Sequence, residues 1–417
     1  MNGFHLIVIL TVSLMVGSTL AAEDVRPELP AVPQGTLDLA LERAQEHVFY
    51  YTHDRSAHTT GAHSGGKMFV LALAAWQGQE QADRLLMRQF RRVLEGDRSL
   101  VAAGGYGSQH ERLFTGSAVL IRDTPRLWSQ LSEEDRHRVD MLMRAAMIAS
   151  AYTTSDAGNA SAQNSDLMGG QNLARGWNPN FREGMIGMMI VGTIWLEGDE
   201  NAYAFLNDYD HDAFTQQLRD AGLDNTARTF AYAAENPDSD APTGEQIERA
   251  VRDYTIHGTR LDELMRIYHQ LTTHTYGGTV FAGLNDGQGR DGAGRIASGA
   301  DELPNVGRRG MLHEFDAVDG SGPRSSITYA YTGFRPNLIN HIVMIVGGAW
   351  EEGAMADECL ALLRVGAADL FYKLDHGYIS YANGRARGET DINHEGWDFR
   401  LTRALWEEVV EPWHAAP

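Results

Sequence analysis

Cysteine is nearly missing from this 417-residue chain: Cys359 is the only one. One thiol excludes an intrachain disulfide framework and a cysteine-based zinc site. Cys359 sits in the apolar helical pattern "DECLALLRVGAADLF" and reads as a buried thiol. Lysine is nearly missing too. Lys67 and Lys373 are the only two, and the other basic residues are all arginine. Zinc-protease, Walker, nucleophile-elbow and dinucleotide signatures are absent as well. "NDGQGRDGAG" has acidic and glycine residues but lacks the regular ligand spacing and closing Glu of a calcium loop. No metal and no cofactor is therefore expected. A net charge of −21 argues against nucleic acid as a partner.

Hydrophobic content of 43% and charged content of 22% are those of a globular protein. An apolar run from Phe4 to Val16, followed by "STLAA" before Glu23, reads as a signal peptide over residues 1–22, although no Lys or Arg precedes the run. That run is too short for a convincing membrane span. A periplasmic or secreted location is expected. Residues 23–35 read as a Pro-rich leader and 36–417 as one domain. Nothing in the chain indicates an oligomeric state.

Helical spacing dominates the rest. "TLDLALERAQEHVFYYTHD" and "EQADRLLMRQFRRVLEGD" have one polar face. Residues 67–76, 185–196 and 338–350 are apolar all round. Ser132 and Asp135 open "LSEEDRHRVDMLMRAAMIASAY" as a capping box with a chemically similar last residue. The long pattern after Pro242 invites a break at Gly258. Strand signals are few, "GYISYANG" and part of "SSITYAYTG". The Gly-rich stretch within 277–333 is too long for a simple connection and is expected to cover a site. Helices buried on every side beside helices with one wet face imply two layers. An α/α toroid satisfies that pattern; an α-solenoid, which calls for a clearer repeat, ranks second.

The chemistry gathers around "QNLARGWNPNFREGMIGMMI", where amides, Arg175, Arg182, Trp177 and a proline run into an apolar helix. By its residues alone, Asn178 or Asn180 can be a helix N-cap, with Pro179 entering the helix. "WNPNFREGMIG" also resembles the asparagine motif of α/α-toroid polysaccharide lyases of alginate and glucuronan lyase type, such as polysaccharide lyase family 38. Aligning the glutamate of that motif with Glu183 puts its catalytic asparagine on Asn178. The pattern departs from the family's in that Pro179 replaces the following aromatic and Trp177 precedes the Asn. The resemblance implies β-elimination of a uronic-acid polymer, alginate or polymannuronate first and glucuronan next, by enzymes that can work without a cofactor.

Such chemistry needs donors for the uronate carboxylate, whose developing charge they stabilise, and an acid/base for the C5 proton and the leaving oxygen. In "DGSGPRSSITYAYTGFRPN", Arg324 and Tyr331 are seven apart and Arg335 follows four later. Both spacings look like arrangements in toroid lyases, and they nominate Tyr331 as acid/base with Arg324 beside it. Tyr329 is the reserve and Arg335 a neighbouring carboxylate contact. The resemblance also calls for a histidine partner. His274, ending a helical pattern, is preferred, and His257 is second. His269 and His341 lie in apolar patterns and read as core or helix-surface residues. Tyr106, Gln109, Trp177, His394 and Trp397 are candidate sugar contacts. Two other classes stay open: an α/α-barrel glycoside hydrolase using two of Glu183, Glu314, Asp316 and Glu395, and a non-catalytic glycan-binding protein.

Overall fold

The computed structural model describes residues 28–46, 65–96, 107–154, 179–239, 241–258, 338–348 and 399–416, with single positions 360, 363, 364 and 367. The described residues are mainly α-helical and contain no strand. The two strand signals of the sequence, the signal peptide and Cys359 lie outside them.

Four helices carry the core. They are α2 (Gly65–Trp76), α4 (Gly107–Arg122), α7 (Pro179–Trp195) and α13 (residues 338–346). Met68–Ala75, Met188–Val191 and Leu338–Met344 are buried, as their apolar patterns require, and the last carries Asn340 and His341 into the core with it. Cross-helix pairs fix the direction of each. Phe69 lies against Gly116 and, seven residues later on both helices, Trp76 Nε1 donates to Asp123 at 2.6 Å. Thr115 Oγ1 meets Met188 Sδ at 3.3 Å, and seven residues later Arg122 donates to the Trp195 carbonyl at 2.5 Å. Asn340 packs on Gly187, and seven residues later Gly347 packs on Ile194. All four therefore run parallel.

A second set runs the opposite way outside them. The start of α1 (Gln34–Glu46) is tied to the end of α2, because Gln77 Oε1 accepts from Val32 N at 2.8 Å and its amide donates to the Pro30 carbonyl at 2.6 Å. Leu29 and Val32 are buried by these ties, so the end of the Pro-rich leader packs on the core, and α1 itself begins at Gln34. Helix α3 (Asp83–Gly96) runs with α1: Gln81 just before it pairs with Gln34, and Gln89 donates to the Ala44 carbonyl. In α6 (Glu133–Thr154), Asp140 accepts from Trp195 Nε1 at 2.9 Å, while Met147 lies on Gly192, which makes α6 antiparallel to α7. Ser132 Oγ caps α6 by accepting from Asp135 N at 3.0 Å, as the capping pattern predicts.

The two layers lock through stacked Phe90 and Phe114, with ring centroids 4.9 Å apart. Short helix α5 (Pro125–Trp128) turns the chain between α4 and α6. Beyond α7 come α8 (Asp199–Asn207), α9 (His211–Asp220), α10 (Asp224–Phe230), α11 (Tyr232–Glu235) and α12 (Gly244–Gly258). The sequence pattern reads 199–222 as one helical stretch. The chain breaks it at Tyr209–Asp210, because the Asp210 carboxylate caps α9 by accepting from Ala213 N at 2.8 Å. Helix α12 ends at Gly258, where the sequence invites a break. Helix α14 (Phe399–Leu405) continues through a π turn at Trp406–Val410 into α15 (Glu411–Ala415). Pro412 cannot donate to a carbonyl one turn back, which suits the widened turn just before it.

Candidate active site

Parallel helices give the molecule two unlike ends. At the end where α2, α4, α7 and α13 stop, the connections that follow α2, α4 and α7 are short. Gly78, at φ 91°, takes the left-handed turn after α2 that a Cβ would strain, and its N–H closes on the Ala75 carbonyl. Arg122 donates to the Trp195 and Ile194 carbonyls of α7, and its guanidinium lies 4.1 Å from the Trp195 ring centroid. Burial pulls the Arg122 pKa below its ordinary value, while Glu197, Asp140 and Asp123 pull the other way. Arg126 donates to the Ala75 carbonyl of α2 and forks onto Asp83 at 2.9 and 3.0 Å. Two arginines thus close the carbonyl ends of two of the four helices, α2 and α7, where a cation is favoured by the helix dipole.

At the other end the same four helices begin, and the amino end of a helix is the positive end of its dipole. The segments 47–64, 97–106, 155–178 and 259–337 lead into them. Gln109 lies in the first turn of α4 and Arg182 in the first turn of α7. Tyr106 is bonded to Gly107, the first residue of α4. Helix α7 starts at Pro179, so proline holds the first helical position as the capping pattern anticipates, and Asn178 is the residue bonded to it. Asn178, Arg175, Trp177, Tyr106, His274, Arg324, Tyr329, Tyr331, Arg335, His394 and Trp397 lie outside the described residues, as do His269, Glu314, Asp316 and Glu395. The side chains of Gln109, Arg182, Glu183 and His257 are likewise not described.

Close packing holds α7 beside α13 near this end. A Cβ on Gly187 would overlap the buried Asn340 side chain, so the absence of a side chain at 187 sets how near the two helices come. One residue on, His341 is buried, and its Nε2 lies 2.8 Å from His414 Nε2. One ring must donate and the other accept, so this bond carries a single proton between the two nitrogens. Burial holds His341 well below the ordinary histidine range, and the neighbouring His414 pushes it the same way. Trp413 packs edge-on against His414 at 4.8 Å. His341 is therefore a core histidine, as its apolar helical context predicts. Its partner His414 has no such signal in the sequence.

A second buried network lies among α9, α10 and α12. The Tyr209 hydroxyl is 2.8 Å from His211 Nδ1, and His211 Nε2 is 3.0 Å from the Phe230 carbonyl. A carbonyl can only accept, so Nε2 carries the proton and Tyr209 donates to Nδ1. Burial raises the Tyr209 hydroxyl well above its ordinary range and lowers His211, the latter partly opposed by the bond to Phe230. Glu248 accepts the backbone N–H of His211 at 2.9 Å. Tyr209 and His211 are both buried in the satellite helices, so the pair supports packing.

Among known proteins, the chain is similar to a gellan lyase from a Bacillus species, at 25% identity over 341 residues. That match takes in 80% of this chain and 13% of the relative, so the chain corresponds to a small part of that protein's length. No family model matches the chain, and no solved structure matches it.

Proposed function

We propose that the chain is a polysaccharide lyase that cuts an acidic, uronate-bearing polymer by β-elimination, with alginate (polymannuronate) or glucuronan as substrate. The observation that carries this reading is the position of the "WNPNFREGMIG" motif. It spans the start of α7, one of four parallel helices whose amino ends share one side of the molecule. Similarity to a protein named a gellan lyase, across most of this chain, supports the same class. The helices are proposed to close into an α/α toroid, for which the two opposed layers are the support. The apolar run and small residues in 1–22 support export to the periplasm or beyond.

In this reading the site forms where the helix amino ends present N–H groups, a setting that favours an anion. Asn178 and Arg324 hydrogen-bond the uronate carboxylate and stabilise the charge that develops as C5 loses its proton. Tyr331, with His274, takes that proton and delivers one to the glycosidic oxygen as the C4–O bond breaks, leaving a C4–C5 double bond. Arg182, Arg175, Arg335 and Tyr329 bind neighbouring carboxylates, while Gln109, Tyr106, Trp177, His394 and Trp397 contact sugars.

The test is absorbance near the ultraviolet edge on a panel of polymannuronate, glucuronan and gellan. Growth of the unsaturated-product signal is the expected result. Reducing ends without that signal indicate a hydrolase, and binding without either product indicates a glycan-binding protein; both overturn the proposal.

A further inference from the structure

The outer face of α3 carries Arg84, Arg88 and Arg92, each exposed, at a spacing of four residues. They form one stripe about 12 Å long at 1.5 Å per residue. Among the described residues none of the three makes an ion pair or side-chain hydrogen bond, whereas Asp83 and Arg91 on the same helix are engaged by Arg126 and the Gln130 carbonyl. Glu95 and, four residues before Arg84, Glu80 flank the stripe, both of them exposed and neither in an ion pair with it among the described residues. Like charges four apart on a helix repel one another. A row of unneutralised arginines on a chain of net charge −21 is therefore a local concentration of positive charge on an acidic surface.

Position adds a second argument. The amino end of α3 lies beside the closed end of the parallel helices, where Arg126 joins Asp83 to the Ala75 carbonyl. Its far end, Gly96, precedes the segment that leads into the amino end of α4. The stripe therefore rises along the side of the molecule toward the end at which the candidate site is proposed. The helix beneath it is held by the Phe90–Phe114 stack and by Gln89 on the Ala44 carbonyl, so the guanidinium stems start from a rigid base.

We infer that Arg84, Arg88 and Arg92 form a surface site for one strand of acidic polysaccharide, which holds the polymer outside the cleft and directs it toward the active end. This rests on the proposed lyase reading for the identity of the polymer. Guanidinium forks match carboxylates in pairs. No large apolar side chain lies on the stripe for insertion into a membrane, and the overall negative charge opposes nucleic acid.

The test compares the parent with a triple variant, Arg84→Gln, Arg88→Gln and Arg92→Gln. A control, Arg219→Gln with Arg249→Gln, removes exposed arginines elsewhere. Retention in polymannuronate, glucuronan and gellan affinity gels is measured, together with turnover of polymer and of a short oligosaccharide. The triple variant is expected to lose about tenfold in polymer retention and to raise KM on polymer similarly. Its turnover of the oligosaccharide stays unchanged, and the control matches the parent. Unchanged polymer retention overturns the site. So does a loss confined to anionic vesicles or duplex DNA, or an equal loss in the control. A parent that holds the polymer through the stripe yet forms no unsaturated product upholds the surface and overturns the lyase reading instead.

Discussion

The two ends of the parallel helices differ in what the chain brings to them. Where the helices stop, arginines, a left-handed glycine and short turns bond the last carbonyls. Where they begin, the chain arrives through long polar segments, and the candidate residues cluster there in sequence. One end is closed by the protein's own side chains. The other gathers the positive ends of the helix dipoles on one side, a setting that favours an anion. The contrast teaches that a single direction of four helices is enough to make the two ends of the molecule unlike.

The most severe test of that division is Asn178→Ala. Removing a donor to the developing charge should lower kcat about 10²–10³-fold, beyond what the loss of a helix cap, about 1 kcal/mol of stability, would cause. Equal activity in the variant would remove the chemical end as proposed. Tyr331→Phe should likewise abolish turnover and leave polymer binding largely intact; near-normal activity would remove the acid/base assignment. At the packing level, Gly187→Ala should destabilise by about 1–3 kcal/mol through overlap with Asn340, read as a lower denaturation midpoint. A neutral result would mean that α7 and α13 can part without cost.

At the closed end, Arg126→Met strips bonds from the Ala75 carbonyl and Asp83, and about 1 kcal/mol should be lost in chemical denaturation. Turnover on short oligosaccharides should not change, because the proposed site lies at the other end. A fall in kcat at constant stability would blur the division. The smallest effect concerns pH. His341 and His211 titrate below the ordinary 6.5 in the folded chain, so below that value the unfolded chain binds more protons. Their contribution is complete above pH 6.5 and is lost as pH falls toward the folded values. Melting temperature should therefore decline on acidification below 6.5, and the decline should shrink in His341→Gln.

Much of the architecture was legible along the chain. Residues 68–76 are apolar at every position and 338–344 at all but Asn340 and His341, and only burial on nearly all sides accommodates that. Ser132 with Asp135 marked a helix start by local chemistry alone. Other features had no local mark. Arg122 and Arg126 look like any surface arginines until the helix ends they cap are brought beside them. His414 gains meaning only beside His341, 73 residues away. Asp210 sits inside a continuous helical pattern, and its side chain, by bonding Ala213 N, splits it. For the candidate site, the motif at Asn178 was legible, and so was the start of its helix at Pro179. The reach from Asn178 to Tyr331 depends on how distant segments meet, which no local pattern encodes.

The chain's own residues determine a helical protein in two classes of helix, because period and polarity are local properties that set which faces must leave water. They also leave arginine as nearly the only side-chain cation, since lysine is almost missing. Tertiary structure alone decided that α2, α4, α7 and α13 point the same way, because direction is set by contacts between residues far apart in sequence. It also decided that α3's free arginines rise along the side that leads from the closed end to the open one. An α-helix is polar along its axis, so choosing a common direction for four of them placed all the positive ends together.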